Sequence, residues 1–192
     1  MSAPLQPLPL SDSIDLESKE VLRQAARAHR HLAELKGAAA TIPNEAILID
    51  TLALQEAKDS SAIENIITTE DELFRADAAS GSYGTPAAKE VHNYAAALKV
   101  GFERVRTQHF IRLDDILVVQ ATLEGKRTGL RKLPGTVLKN ETTGEVIYEP
   151  PQDALEVQRL MDNFVACLNR NEPGDPDPLV RMAVLHYQFE SI

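Results

Sequence analysis

A single cysteine, Cys167, stands in a chain of 192 residues, so an internal disulfide is impossible and a cysteine-based zinc cluster is excluded. Tryptophan is absent and aromatic residues make up only 5% of the chain, against 43% hydrophobic residues overall. The core must therefore be built from Leu, Ile, Val and Ala, which favours helices packed on helices. Positive charge is also scarce: 20 Lys and Arg face 29 Asp and Glu, a formal charge of -9. No stretch gathers enough Lys and Arg to track a phosphate backbone, which argues against nucleic-acid binding. No run approaches the ~18 apolar residues of a membrane span, and the first twenty residues have neither the basic start nor the apolar stretch of a signal peptide. A cytoplasmic protein without a membrane partner is expected.

Periodicity organises the rest. Residues 1–14 carry Pro4, Pro7 and Pro9 and are expected to form a flexible, extended tail. From Asp15, the residues Leu16, Val21, Leu22, Ala25, Ala28, Leu32 and Leu35 approximate a helical stripe, which Gly37 is expected to end. Pro43 and Asn44 open a second helix over about residues 44–65, and a further apolar segment follows at residues 71–79. After a loop at Gly81, Gly84 and Pro86, helical spacing returns with Val91, Tyr94, Ala95, Leu98 and Phe102, and again over residues 113–123. The period then changes to alternation at residues 136–139 and 145–148, around a loop containing Gly144, the pattern of a β-hairpin. Helical spacing resumes at residues 155–168, and Asp177 with Pro178 opens a last helix expected to bury Leu179, Met182, Leu185 and Phe189. The predicted fold is mainly α with one hairpin.

Two signals carry chemistry. Ser60 and Glu64 are four residues apart, so a helix places them on one face, and Asn65 is a residue type that tolerates the left-handed conformation ending a helix. A carboxylate in a last helical turn lies against the negative end of the helix dipole and calls for a cation from elsewhere. From spacing alone, a solvated Glu64 beside an ordinary cap residue is the simpler reading. The hairpin is equally double-edged, because two strands alone are marginal in water while a free strand edge can hold an extended peptide by main-chain hydrogen bonds. The histidines make no site: His29 and His31 point to different helix faces, His92 and His109 lack ligand-spaced partners, and His186 lacks an orienting acid.

Taken in order, S-S-A-I-E-N at residues 60–65, K-E-V-H-N-Y at 89–94, G-L-R-K-L-P-G-T-V-L-K-N at 129–140, T-G-E-V-I-Y-E-P-P-Q at 143–152 and H-Y-Q-F-E-S-I at 186–192 resemble the Fic family of protein adenylyltransferases. The resemblance implies that residues 15–128 form the helical Fic N-terminal region and that residues 129–192 begin the Fic core, with residues 134–151 as its flap. The family's catalytic loop, H-P-F-x-D-G-N-G-R-x-x-R, is not in the chain, so no catalytic or metal-binding residue is assigned and His186 is not given the role of the family's catalytic histidine. The family's inhibitory pattern is [S/T]-x-x-x-E-[G/N], which Ser60, Glu64 and Asn65 match. It implies that Glu64 sits at the edge of the ATP site and pairs with an arginine of the catalytic loop that otherwise holds the γ-phosphate.

The flap resemblance implies that Thr136, Val137, Leu138 and Lys139 align a protein substrate by strand addition. ATP and Mg²⁺ are expected cofactors of the whole enzyme and not of this chain alone. The chain is expected to be the autoinhibitory and target-docking part of such an enzyme, itself inactive, partnered by a Fic core, a homologous Fic chain or a second copy of itself. The alternative is a non-catalytic, antitoxin-like protein inhibiting a Fic enzyme in trans, against which the retained flap counts.

Overall fold

The computed structural model describes residues 5–10, 14–39, 41–42, 45–63, 65–69 and 84–192, with residues 45–50 described by their backbone alone. Six helices and one hairpin occur among them: α1 (Lys19–Ala39), α2 (Glu45–Ile63), α3 (Pro86–Gln108), α4 (Leu113–Glu124), β1 (Leu138–Lys139), β2 (Val146–Tyr148), α5 (Ala154–Asn169) and α6 (Pro178–Ser191). The fold is mainly helical with a two-stranded antiparallel sheet, as the periodicity predicts. None of the described helices is long and apolar enough to cross a membrane. The expected apolar segment at residues 71–79 lies outside the described residues. The chain divides into two compact units, Ala38–Gly129 and a discontinuous unit of Met1–Gly37 with Leu130–Ile192.

The unit Ala38–Gly129 stacks α2 on α3 and α3 on α4. Ala57 of α2 meets Ala88, Val91 and Ala95 of α3 in the buried centre, with Leu54 and Tyr94 packed at its margin. Small side chains let the helices approach closely, and Gly101 carries this furthest: a Cβ there would lie 3.3 Å from Val119 Cγ2 on α4. Leu98 and Phe102, expected on the buried stripe of α3, are exposed, because burial follows the alanine face instead. Thr85 caps α3 by accepting the Ala88 N–H, Pro86 takes the first helical position, and His109 closes the helix at φ 60°. A charge is buried between α3 and α4. Asp115, 4% exposed, accepts the Arg112 backbone N–H at 2.9 Å and pairs with the guanidinium of Arg104. That backbone donor, with Arg104 and the Arg112 side chain, holds its pKa at about 2, against the unfavourable effect of burial.

The discontinuous unit packs α5 against α6 through Val157, Leu160, Met161, Phe164 and Leu185. Asp153 and Asp177 cap these helices as N-cap residues, the second with Pro178 in the first turn as expected. The other oxygen of Asp177 meets His29 Nε2 at 2.8 Å, tying α1 to the start of α6. Three expectations change here. The helix α1 continues through Gly37 to Ala39, because one glycine lowers helix propensity without breaking hydrogen bonding. Only Ala25 of α1 is fully buried and Leu22, Leu32 and Leu35 are exposed, so the long stripe shrinks to a narrow contact facing α6. On α6, Leu185 is buried, but Met182 is 63% exposed and Phe189 is partly open, tilted against Phe164 at 5.4 Å. The buried face runs instead through Leu185, Gln188 and Ser191, where backbone and hairpin groups supply polar partners.

The fourth change concerns the proline-rich start, where residues 5–10 are docked on the unit and not free. Leu8 is 7% exposed, its N–H donates to Asn163 Oδ1 at 2.7 Å and its carbonyl accepts from Asn163 Nδ2 at 2.9 Å. One turn from the end of α6, Gln188 donates to the Gln6 carbonyl at 2.9 Å. By its contacts α1, expected within residues 15–128, groups with residues 130–192.

Candidate functional site

The first candidate lies at the end of α2. Asn65 adopts φ 63°, its N–H donates to the Ala62 carbonyl at 3.1 Å, and the Ile66 N–H reaches back to the Ser61 carbonyl at 3.0 Å. These two bonds are the paired closure of a helix by a left-handed residue, the role for which asparagine is second only to glycine. Ser60 Oγ donates to Glu56 Oε1 at 3.0 Å, one turn back along the helix. Spacing points to Glu64 as the neighbour of interest, but Glu64 lies outside the described residues. The last turn of α2 contains no basic residue, so the cation that a carboxylate at this helix end calls for is not supplied by that turn. Ile63 within the motif and Ile67 just after it are exposed, while Ser61 and Thr68 are buried.

The second candidate is the hairpin and the helix end beside it. Leu138 pairs with Tyr148 and Lys139 with Val146, with an irregularity between them. The loop is organised by Asn140, whose side-chain oxygen accepts the N–H groups of Thr142 and Thr143 at 2.9 and 3.0 Å, and by Gly144 at φ 72°. Of the four residues expected to form the docking edge, Leu138 and Lys139 are in β1, whereas Thr136 and Val137 precede it. The physical reason is Gln152. Its carboxamide accepts the Gly135 N–H at 2.6 Å and donates to the Thr136 carbonyl at 2.9 Å, standing where a partner strand would stand. Among the described residues β1 pairs with β2 alone.

Two side chains fasten this ribbon to α6. Arg131 Nη2 donates to the carbonyls of Pro151 at 2.6 Å and Ile192 at 2.8 Å, and the Tyr148 hydroxyl donates to the Ser191 carbonyl at 2.7 Å. Burial pushes the Tyr148 phenol above its usual range, more than its hydrogen bond to Ser191 lowers it. The last carbonyls of α6, which no intrahelical N–H can satisfy, thereby acquire partners. Leu138, Val146 and Ile147 remain exposed on the ribbon, an apolar surface beside free backbone groups. Arg131 and Gln152 fall inside longer sequence motifs that give neither a role. The usable signal is that a two-stranded ribbon needs anchors, and both residues closely flank it. His186 is exposed, and no group of three His, Cys, Asp or Glu side chains among the described residues is arranged to hold a metal ion.

In a comparison with known families, residues 22–103 match the Fic/DOC family N-terminal region. The match runs from the first turn of α1 through α2 to the last turns of α3 and includes Ser60, Glu64 and Asn65. Over this stretch the chain is similar to the Fic/DOC N-terminal region, in keeping with the resemblance read from its motifs.

Proposed function

We propose that the chain is the autoinhibitory and target-docking portion of a cytoplasmic Fic protein adenylyltransferase, an enzyme moving AMP from ATP to a Ser, Thr or Tyr hydroxyl of a protein. The observation that carries the reading is the family match over α2, whose S-S-A-I-E-N end fits the family's inhibitory pattern and closes at Asn65. In this reading Glu64 competes with the γ-phosphate for an arginine of a catalytic loop that is not among these residues. A bidentate carboxylate partner on that arginine keeps the phosphates out of the orientation needed for attack. The hairpin supplies the other half: Leu138 and Lys139 offer main-chain hydrogen bonds and an apolar side chain to an extended target segment. ATP with Mg²⁺ supplies the AMP in such enzymes, and no ligands for either are assigned to this chain.

The test joins this chain to a Fic catalytic loop and compares the parent with Glu64→Gly. Labelled AMP incorporation is expected to rise in Glu64→Gly, while the chain without the loop incorporates none. Equal incorporation by Glu64→Gly and its parent would reduce Glu64 to an ordinary helix-end residue.

A further inference from the structure

We infer that Arg131 and Tyr148 are positioning residues: together they lock the ribbon of β1 and β2 to the last turn of α6, so that ribbon and helix end keep one geometry and open as one body. The consequence for catalysis rests on the function proposed above, in which the ribbon holds the target and the catalytic loop joins the chain after Ile192. Each strand has its own tie. Arg131, on the approach to β1, uses a single nitrogen for the carbonyls of Pro151, just past β2, and Ile192, at 2.6 and 2.8 Å. Tyr148, within β2, donates its hydroxyl to the adjoining carbonyl of Ser191 at 2.7 Å. Two consecutive carbonyls at a helix end are thus held by one residue from each strand's side of the ribbon.

Packing does not share this task, since the ribbon's large apolar side chains, Leu138, Val146 and Ile147, are exposed. Hydrogen bonds weaken steeply out of alignment, so they fix an orientation that an apolar contact would let slide. The guanidinium also stands at the negative end of the α6 dipole, and burial keeps the Tyr148 phenol protonated and able to donate. Arg131 Nε is buried without a partner among the described residues, so this side chain forgoes one hydrogen bond in making the other two. The turn that receives the ties is itself closed: Ser191 is buried and its Oγ donates back to the Tyr187 carbonyl at 2.7 Å. A target segment on the ribbon and a loop leaving α6 therefore share one frame, and a displacement of either is felt by the other. Placement errors of about 1 Å are enough to cost rate.

Hydrogen exchange on the full chain tests the lock without reference to activity. Tyr148→Phe keeps the ring and removes one tie. Amides of the ribbon, Asn140 among them, and those of the last turn of α6 should then exchange faster by a common factor of about five, with α5 unaltered. Arg131→Met should speed the same two sets of amides, and Arg131→Lys should restore most of the protection. Faster exchange in the ribbon alone, or in neither, overturns the inference, because ribbon and helix end then open separately. Should the variants lose their far-UV circular dichroism, the unchanged chain suffices: in rising urea the two sets must share one opening transition, and different urea dependences overturn the lock. In the chain joined to a Fic catalytic loop and carrying Glu64→Gly, Tyr148→Phe should lower kcat for AMP transfer about ten-fold at an unchanged KM for ATP. An unaltered kcat, or a change confined to KM, overturns the positioning role. A joined Glu64→Gly chain that transfers no AMP defeats the proposed function instead, and the exchange rates still decide the lock.

Discussion

The two units of this chain bury polar groups by opposite means. In Ala38–Gly129 consecutive helices are tied locally, and beside the neutral Ser61 and Thr68 a charge is buried: Asp115 and its partner Arg104 are eleven residues apart. In the discontinuous unit the ties are long and mostly neutral. Asn163 reaches Leu8 across 155 residues, Gln188 reaches Gln6 across 182, and Tyr148 reaches Ser191 across 43. A charge binds its partners strongly but makes stability depend on pH, whereas a carboxamide gives the same directionality without titrating. One unit is therefore a helix stack whose weak point is electrostatic, and the other is a set of distant segments whose weak points are individual amides.

The sharpest way to break this contrast is Asp115→Ala. Removing the carboxylate leaves Arg104 without its partner and the Arg112 N–H without an acceptor, at an expected cost of about 3 kcal/mol. The pH dependence follows from the lowered pKa of about 2 against an ordinary 3.8. A depressed carboxyl contributes its stability in full above the ordinary value and loses it as pH falls through the folded one. The unchanged chain should thus lose about 2 kcal/mol between those two values from this group, a loss that Asp115→Asn removes. Urea unfolding of both chains across that range checks it.

Asn163→Ala is the counterpart in the other unit. It removes two neutral hydrogen bonds from the Leu8 backbone and should cost about 2 kcal/mol. Between pH 3.8 and about 2, its cost should not change, since no group at that contact titrates there. A cost that vanished on acidification would mean that the contact depends on a charge elsewhere. A smaller effect is expected at the end of α2, where Asn65→Ala puts an ordinary side chain at φ 63° and should cost about 1 kcal/mol, with Asn65→Gly neutral or better. Thermal melts of the two variants separate cap conformation from side-chain chemistry.

How legible each part is in the sequence follows the same division. Helices α3 to α6, the Asp177–Pro178 opening, the hairpin loop at Gly144 and the left-handed Asn65 are local events, and residue type with spacing suffices to read them. Residues 5–10 are not legible in this way, because nothing in a proline-rich stretch announces a pair of carboxamides more than 150 residues away. Gln188 and Ser191 break the apolar stripe of α6 for the same reason: a polar residue on a buried face is legible only once its partner is known. The strand expected from Thr136 begins only at Leu138, because Gln152 mimics a strand without belonging to one. The candidate inhibitory motif is legible as a set of residue types. Which group Ser60 engages is not, since Glu56 and Glu64 are equally spaced from it.

Two helix-interior glycines bring the contrast down to the smallest effects. At Gly37 of α1, an added Cβ meets nothing within 4 Å, so Gly37→Ala restores helix propensity and restrains the unfolded chain without a steric penalty. It should raise stability by up to about 1 kcal/mol. Gly101 of α3 offers the same propensity gain, but its Cβ would stand 3.3 Å from Val119 Cγ2, closer than ordinary van der Waals contact. Whether the neighbour can yield decides the sign. Val119 is β-branched on a helix, where one χ1 rotamer dominates, so it cannot swing aside and the helices α3 and α4 must separate slightly instead. The overpacking cost outweighs the propensity gain, and Gly101→Ala should lower stability by about 1 kcal/mol. Opposite shifts in melting temperature for the two variants are the expected result. A rise for both would show that the α3–α4 contact is loose enough to absorb a methyl group, and the close helix approach attributed to Gly101 would then be wrong.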